Sequence, residues 1–230
     1  MRRADSVAFM GGAHVFPGGS VDPGDRLADP HATCDGVDAA IARMPDVDAG
    51  TAIAYHAAAI RELHEEAGVL LARGPHGAQR LALDALAFFA HWVTPDIEIK
   101  RFDARFFAAI VPEGQEAVHD DREASGGGWF DPADAVSRCR AGEVALPPPT
   151  WTTLRTLERF SSVDEVMAWA RARIVTRVQP GFLERGGETM LTLPGDPLHP
   201  EAADGDVPKE TRFVLDQGRW RAIGSGDPRS

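Results

Sequence analysis

Arg61-Glu62-Leu63-His64-Glu65-Glu66-Ala67-Gly68-Val69 is the stretch on which the fold turns. Ile53, Ala57, Ile60, Leu63 and Ala67 recur at spacings of three and four, so the segment is the last part of an amphipathic helix starting near Thr51, a capping type. Gly68 then falls where a left-handed stop is expected. On such a helix Glu62, Glu65 and Glu66 share one face. Like charges at these spacings cost roughly 0.2–0.5 kcal/mol per pair. The last turn is also the negative end of the helix dipole, which disfavours anions by about 0.3–1 kcal/mol each. A divalent cation would turn this repulsion into coordination, and all-oxygen donors select a hard ion such as Mg²⁺ or Mn²⁺. Taken alone, the three glutamates also read as a solvated face opposite the apolar stripe.

Upstream, Val15-Phe16-Pro17-Gly18-Gly19 reads as a strand end and a sharp bend at which the backbone can approach a ligand closely. Together the two stretches resemble the Nudix box, G-x5-E-x7-R-E-U-x-E-E-x-G-U, where U is a bulky apolar residue. Arg61 to Val69 match its right half in full. In the left half, which starts at Gly19, the matching acid is Asp25 instead of Glu, and Ile53 stands where a contiguous box would carry it. Arg61 lies 42 positions after Gly19, against 14 in the contiguous box, an excess of 28. Residues 26–50, rich in Asp, Ala and Pro, read as an inserted surface excursion with one short helix around 37–44. Asp25 is the candidate to orient Arg61.

An insertion inside the box is similar to the acyl-coenzyme A diphosphatase branch of that superfamily. Thr94-Pro95, Arg101-Phe102-Asp103, Leu146-Pro147-Pro148-Pro149-Thr150 and Leu193-Pro194-Gly195-Asp196 extend the similarity along most of the chain. Nudix enzymes acting on coenzyme A often carry R-S/A-x3-R-x3-G-x3-F-P-G-G before the box. Arg3-Ala4, Gly12 and Phe16 to Gly19 fit it, while Ala8 stands where the second arginine belongs. The family usually has two strands before Arg2, so the expectation is a start site placed too late.

The resemblance implies an α+β Nudix fold, a mixed β-sheet sandwiched between helices. Residues 1–145 would form the hydrolase domain, with the insertion at 26–50, and 146–230 a C-terminal helical and β extension packed on it. It also implies water attack on one phosphorus of a P–O–P bridge, with metal ions at Glu62, Glu65 and Glu66. Arg61 would hold a glutamate in its ligating rotamer. The general base is either a box glutamate, Glu65 or Glu66, or Glu123 in the acidic loop 119–123. Arg3, Gly18 and Gly19 are the candidate substrate contacts. His64 and His119 read as surface residues.

The substrate class that fits is a nucleotide-type small molecule: coenzyme A or its acyl esters, or else ADP-ribose, a nucleotide sugar or a dinucleotide. A catalytically silent nucleotide-binding regulator belongs to a different class, and intact glutamates speak against it. A homodimer is an expectation from resemblance alone.

The rest of the sequence sets bounds. The 230 residues carry a formal charge of −11, against a nucleic-acid groove or an anionic membrane surface as partner. Cys34 and Cys139 support neither a disulfide framework nor a thiolate zinc site. No apolar run approaches a membrane span, and Pro228-Arg229-Ser230 is not a peroxisomal address, which leaves the cytoplasm as the expected location. Strands are expected over 86–93, 102–111 and 128–130, then a helix from Asp131-Pro132 to about 140. Helices over 150–160 and 163–173 and strands at 190–193, 211–215 and 220–223 follow, the last two joined by Gln217-Gly218. Trp92, Phe89, Trp129 and Phe130 are expected in the core, and Trp151 and Trp169 as packing residues. Residues 198–209 and 224–230 are expected to be mobile.

Overall fold

The computed structural model describes residue 1 and residues 12–95, 101–117, 128–202, 208 and 210–223. Its central element is helix α3 (Ala49–Ala67), a 19-residue helix. Asp48 caps it, not Thr51: the Asp48 carboxylate accepts from Thr51 N at 3.0 Å and from Thr51 Oγ1 at 2.6 Å. Both residues are capping types, and the aspartate wins because Thr51 then sits in the first turn as a donor. Ala52, Ile53, Ala57, Ile60 and Ala67 are buried along the helix. Gly68, at φ 68°, ends it and donates to His64 O at 2.9 Å.

The insertion is not a surface excursion. It folds into α1 (Pro30–Thr33), strand β1 (Cys34–Asp35) and α2 (Val37–Ala42). Cys34, Val37 and Ala40 pack with Ile53, Ile60, Val69, Leu71 and Leu83. Met44 is fully buried against Ala52 and Phe88. These apolar residues follow a spacing of three to four, but breaks at Gly36 and Pro45 leave pieces too short to show an amphipathic pattern. Gly36 adopts φ 75°, and a Cβ there would lie 2.4 Å from Asp84 Cβ. Arg43 ties the insertion across the sheet by donating to the carbonyls of Phe88, Ala170 and Arg173 at 3.0, 3.0 and 3.2 Å.

After α3 come β2 (Ala72–Arg73) and β3 (Arg80–Ala82), which with β1 form a small sheet ordered β1-β3-β2. The next sheet is mixed. β4 (Ala87–Val93) pairs antiparallel with β5 (Asp103–Ala108) and parallel with β6 (Arg177–Val178). Before β6 run α4 (Pro132–Arg140), α5 (Pro148–Leu157) and α6 (Val163–Ala172). Alternate residues of β4 and β5 face opposite layers. Phe88 and Phe107 meet Met44, Ala52 and Tyr55 on one side. Phe89 and Phe106 meet Met167, Ala170 and Trp169 on the other. The mixed sheet thus lies between α3 and α6.

A four-stranded antiparallel sheet follows from β7 (Gly181–Arg185), β8 (Glu188–Thr192), β9 (Arg212–Asp216) and β10 (Arg219–Ile223). Two-residue turns close both of its outer hairpins: Gly186-Gly187 at φ 63° and 84°, Gln217-Gly218 at 49° and 77°. Positive φ at both positions matches the strand twist. One buried cluster joins Trp92, Val136 and Val144 to Leu146, Trp151, Leu191 and Phe213, so the extension and the preceding part share a core.

Three expectations fail here. Residues 128–130 form no strand, and Trp129 is 77% exposed. Three apolar-rich residues without a paired neighbour do not make a ladder, and only Phe130 turns inward, edge-on to His14 at 5.7 Å. Residues 198–202 are tied down: Leu198 N donates to Asp196 Oδ1 at 2.9 Å, and His199 Nε2 meets Gln179 O at 3.1 Å. Residues 203–207, 209 and 224–230, also expected to be mobile, lie outside the described residues.

Candidate active site

The last turn of α3 meets the bend at Gly18-Gly19 and a single 3₁₀ turn at Pro23–Asp25. Arg61 stands at their junction with all five N–H donors engaged. Nε and Nη2 donate to Asp25 Oδ1 and Oδ2, each at 3.0 Å. Nη1 donates to Glu62 Oε1 at 2.7 Å and Glu65 Oε2 at 3.0 Å, and Nη2 also to Ser20 O at 3.0 Å. A guanidinium has no sixth donor, so Arg61 positions its neighbours instead of reaching for a ligand.

Asp25 is buried, and burial is the largest influence on its carboxyl, opposing ionisation. The Arg61 fork, the Asp22 N–H at 2.7 Å and the Arg61 charge together outweigh it and hold the carboxyl below its ordinary range. Hydrogen bonds to the Asp25 carboxylate, opposed by desolvation, push the Arg61 guanidinium well above its usual value. Asp25 therefore takes the place of the box's first acid although 36 residues separate it from Arg61. Pro23 at the start of the short turn fixes the entry, and the Asp22-x-x-Asp25 spacing is the local signal for it.

Gly19 and Gly18 serve the carboxylates in different ways. A Cβ on Gly19 would lie 2.3 Å from Glu62 Oε1, so only a bare backbone fits beside that carboxylate. Gly18 N donates to Glu66 Oε2 at 2.6 Å. All three box glutamates are thereby gathered on one bend, two beside Arg61 Nη1 and the third on the Gly18 amide. Within 4.0 Å of Arg61 lie carboxylate oxygens of Asp22, Asp25, Glu62 and Glu65. One guanidinium does not neutralise them.

That oxygen-only, net negative donor set fits a hard divalent ion. Among the described residues, no three His, Cys, Asp or Glu side chains are placed so that they could hold a metal ion together; the glutamate oxygens face Arg61 and the Gly18 amide instead. The residues that would hold the ion are Glu62, Glu65 and Glu66.

Of the other candidates, Arg3, Glu123 and His119 lie outside the described residues, and His64 is exposed. Sequence reasoning missed three contributors. The Ser20 carbonyl and the Asp22 amide are backbone groups whose side chains give no sign of their use. Gln115 pairs with both backbone groups of Leu70, at 2.8 and 2.9 Å, and so fixes the chain leaving the box.

No profile of a known protein family matches the chain. Acyl-coenzyme A diphosphatase NUDT19 of Homo sapiens is 27% identical over 291 aligned positions, covering 95% of this chain and 78% of that protein. The Xenopus laevis protein of the same name is 23% identical, covering 92% and 73%. A crystal structure of a Nudix hydrolase from Alicyclobacillus acidocaldarius superposes with a TM-score of 0.57 at 23% identity, over 73% of this chain and 85% of that one. The architecture is therefore the Nudix fold, and Nudix hydrolases generally use divalent metal ions. With motif, fold and relatives in agreement, the chain has the Nudix fold and is similar along its length to Nudix hydrolases of the acyl-coenzyme A diphosphatase branch.

Proposed function

We propose that this chain hydrolyses the diphosphate bridge of coenzyme A or its acyl esters, giving 3′,5′-ADP and a 4′-phosphopantetheine, with Mg²⁺ or Mn²⁺ as cofactor. The observation that carries the chemistry is the gathering of Glu62, Glu65 and Glu66 on the Gly18-Gly19 bend under a saturated Arg61. The names of the relatives support the substrate.

When bound, the divalent ion would neutralise charge on the phosphate oxygens and lower the pKa of the attacking water. The protein's own part is positioning. Arg61, itself clamped by Asp25, fixes the rotamers of Glu62 and Glu65, and the Gly18 amide fixes Glu66. Water adds to one phosphorus as the bridging P–O bond breaks. Its proton passes to a carboxylate, Glu123 or one of Glu65 and Glu66, and the leaving phosphate monoester departs as an anion.

The test is a substrate series assayed by mass spectrometry with either metal. Release of 3′,5′-ADP from coenzyme A supports the reading. Release of AMP from ADP-ribose, with coenzyme A untouched, overturns it.

A further inference from the structure

The last turn of α3 is built against its own stability. Glu65 and Glu66 sit at the negative end of the helix dipole, where His64 is the basic side chain. Arg61 draws in Glu62 and Glu65, and Glu66 leans on the Gly18 amide. Before an ion arrives, like-charge repulsion acts to open that turn. What holds the chain just beyond it therefore bears on how the carboxylates meet a metal.

Leu71 O accepts from Ala82 N at 3.0 Å, so Leu71 faces β3. Backbone groups of successive residues along an extended chain point to opposite edges, which turns those of Leu70 away from β3. Gln115 meets them there. Its Oε1 accepts from Leu70 N at 2.8 Å, and its Nε2 donates to Leu70 O at 2.9 Å. One side-chain amide thus takes the place of a neighbouring strand. Gln115 is itself held, because its N–H donates to Pro112 O at 3.1 Å across a turn whose Gly114 has φ 80°. Val111 and Ala117, on either side of that turn, rest on the cluster of Ile60, Val69 and Leu71. Both halves of the clamp are anchored in the core that α3 covers.

We infer that Gln115 is a positioning residue for the metal-binding turn. By pinning Leu70, four residues beyond Glu66, it keeps Glu65 and Glu66 gathered before the ion arrives. This rests on those glutamates being the metal's ligands. A bound ion ties the carboxylates together by itself, so the clamp acts on metal uptake and not on the chemical step of the loaded enzyme.

The experiment titrates the full chain with Mn²⁺ by calorimetry, as wild type and as Gln115→Met, which keeps the side chain's length and removes both bonds. The variant should bind the ion roughly tenfold more weakly. Turnover of coenzyme A should need correspondingly more metal, with kcat at saturating metal close to the wild-type value. Met44→Ala, weakened in the core far from the turn, separates positioning from stability, and its affinity should match the wild type. An unchanged affinity in Gln115→Met overturns the inference, and so does an equal loss in Met44→Ala. In the metal-free wild type the Leu70 amide should resist hydrogen exchange; exchange at the rate of an open loop overturns the inference without recourse to any variant. A wild type that takes up neither Mn²⁺ nor Mg²⁺ is a different result: it overturns the reading of the glutamates as ligands, and the inference with it.

Discussion

Asp25 and Arg61 meet through two parallel hydrogen bonds of 3.0 Å across 36 residues of chain. The insertion separates them in sequence and its packing brings them together. Asp25→Asn removes the charge and one acceptor of the fork, so Arg61 loses its anchor and Glu62 and Glu65 lose their common donor. The variant should lose on the order of 10²-fold in kcat/KM and about 1–3 kcal/mol of stability. Because the folded-state carboxyl of Asp25 is depressed, its contribution is present above the ordinary carboxylate range and is lost as pH falls through the folded value. Chemical denaturation of wild type and variant from pH 7 downward should show the two stabilities converging in acid.

Glu65 and Glu66 should separate function from folding. Glu65→Gln with Glu66→Gln should cost about 10³-fold or more in turnover. The same change relieves like-charge repulsion worth roughly 0.2–0.5 kcal/mol per pair, so the double variant should melt no lower than the wild type. Wild-type turnover in that variant would remove the glutamates from the mechanism.

Gly19→Ala tests the close approach to Glu62. The added Cβ would meet the Glu62 carboxylate at 2.3 Å, and that carboxylate is the free end of a flexible side chain. Glu62 will swing aside at little cost to stability, but it leaves its place beside Arg61. Activity should fall by roughly tenfold or more with a thermal shift of only a few degrees. Metal titration by calorimetry should show weaker uptake than in the wild type.

Burial keeps His56 neutral, with its pKa below the ordinary 6.5, and the nearby Arg43 charge acts in the same direction against its bond to Ala52 O. His91 is lowered as well, by burial first and by Arg105 second. For each, the unfolded chain takes up a proton before the folded one does. Their contribution is therefore complete above about pH 6.5 and declines as pH drops towards the folded values. Melting temperatures should fall between pH 7.5 and 5.5, and His56→Leu should flatten that fall. An equally steep decline in the variant would assign the effect elsewhere.

The insertion supplies core. Met44 has no exposed surface and packs on Ala52 and Phe88. Met44→Ala should cost about 2–4 kcal/mol in urea denaturation, whereas a residue of a surface excursion would change stability by only about 0.5 kcal/mol.

Much of this was legible in the residues, and for a common reason. The stripe from Ile53 to Ala67, the stop at Gly68, the cap at Asp131 and the turn at Gln217-Gly218 are all local patterns of one to four residues. So is the one-faced placement of Glu62, Glu65 and Glu66, which follows from helical geometry alone. Thr51 misled because it and Asp48 are both capping types and stand three positions apart. The strand at 190–193 is the end of β8, while its partner β7 went unread since Gly181 to Arg185 lacks strict alternation.

The amino-acid order by itself determined the helix, its acidic ledge and the glycine bend, because each is decided among near neighbours. Only the tertiary structure decided that Asp25 clamps Arg61, that Cys34, Val37 and Met44 enter the core, and that Trp129 faces solvent while Phe16 is braced by Phe106. Those outcomes depend on which distant segments share a layer, and burial of apolar area against a particular neighbour, unlike helical spacing, leaves no periodic trace in the chain.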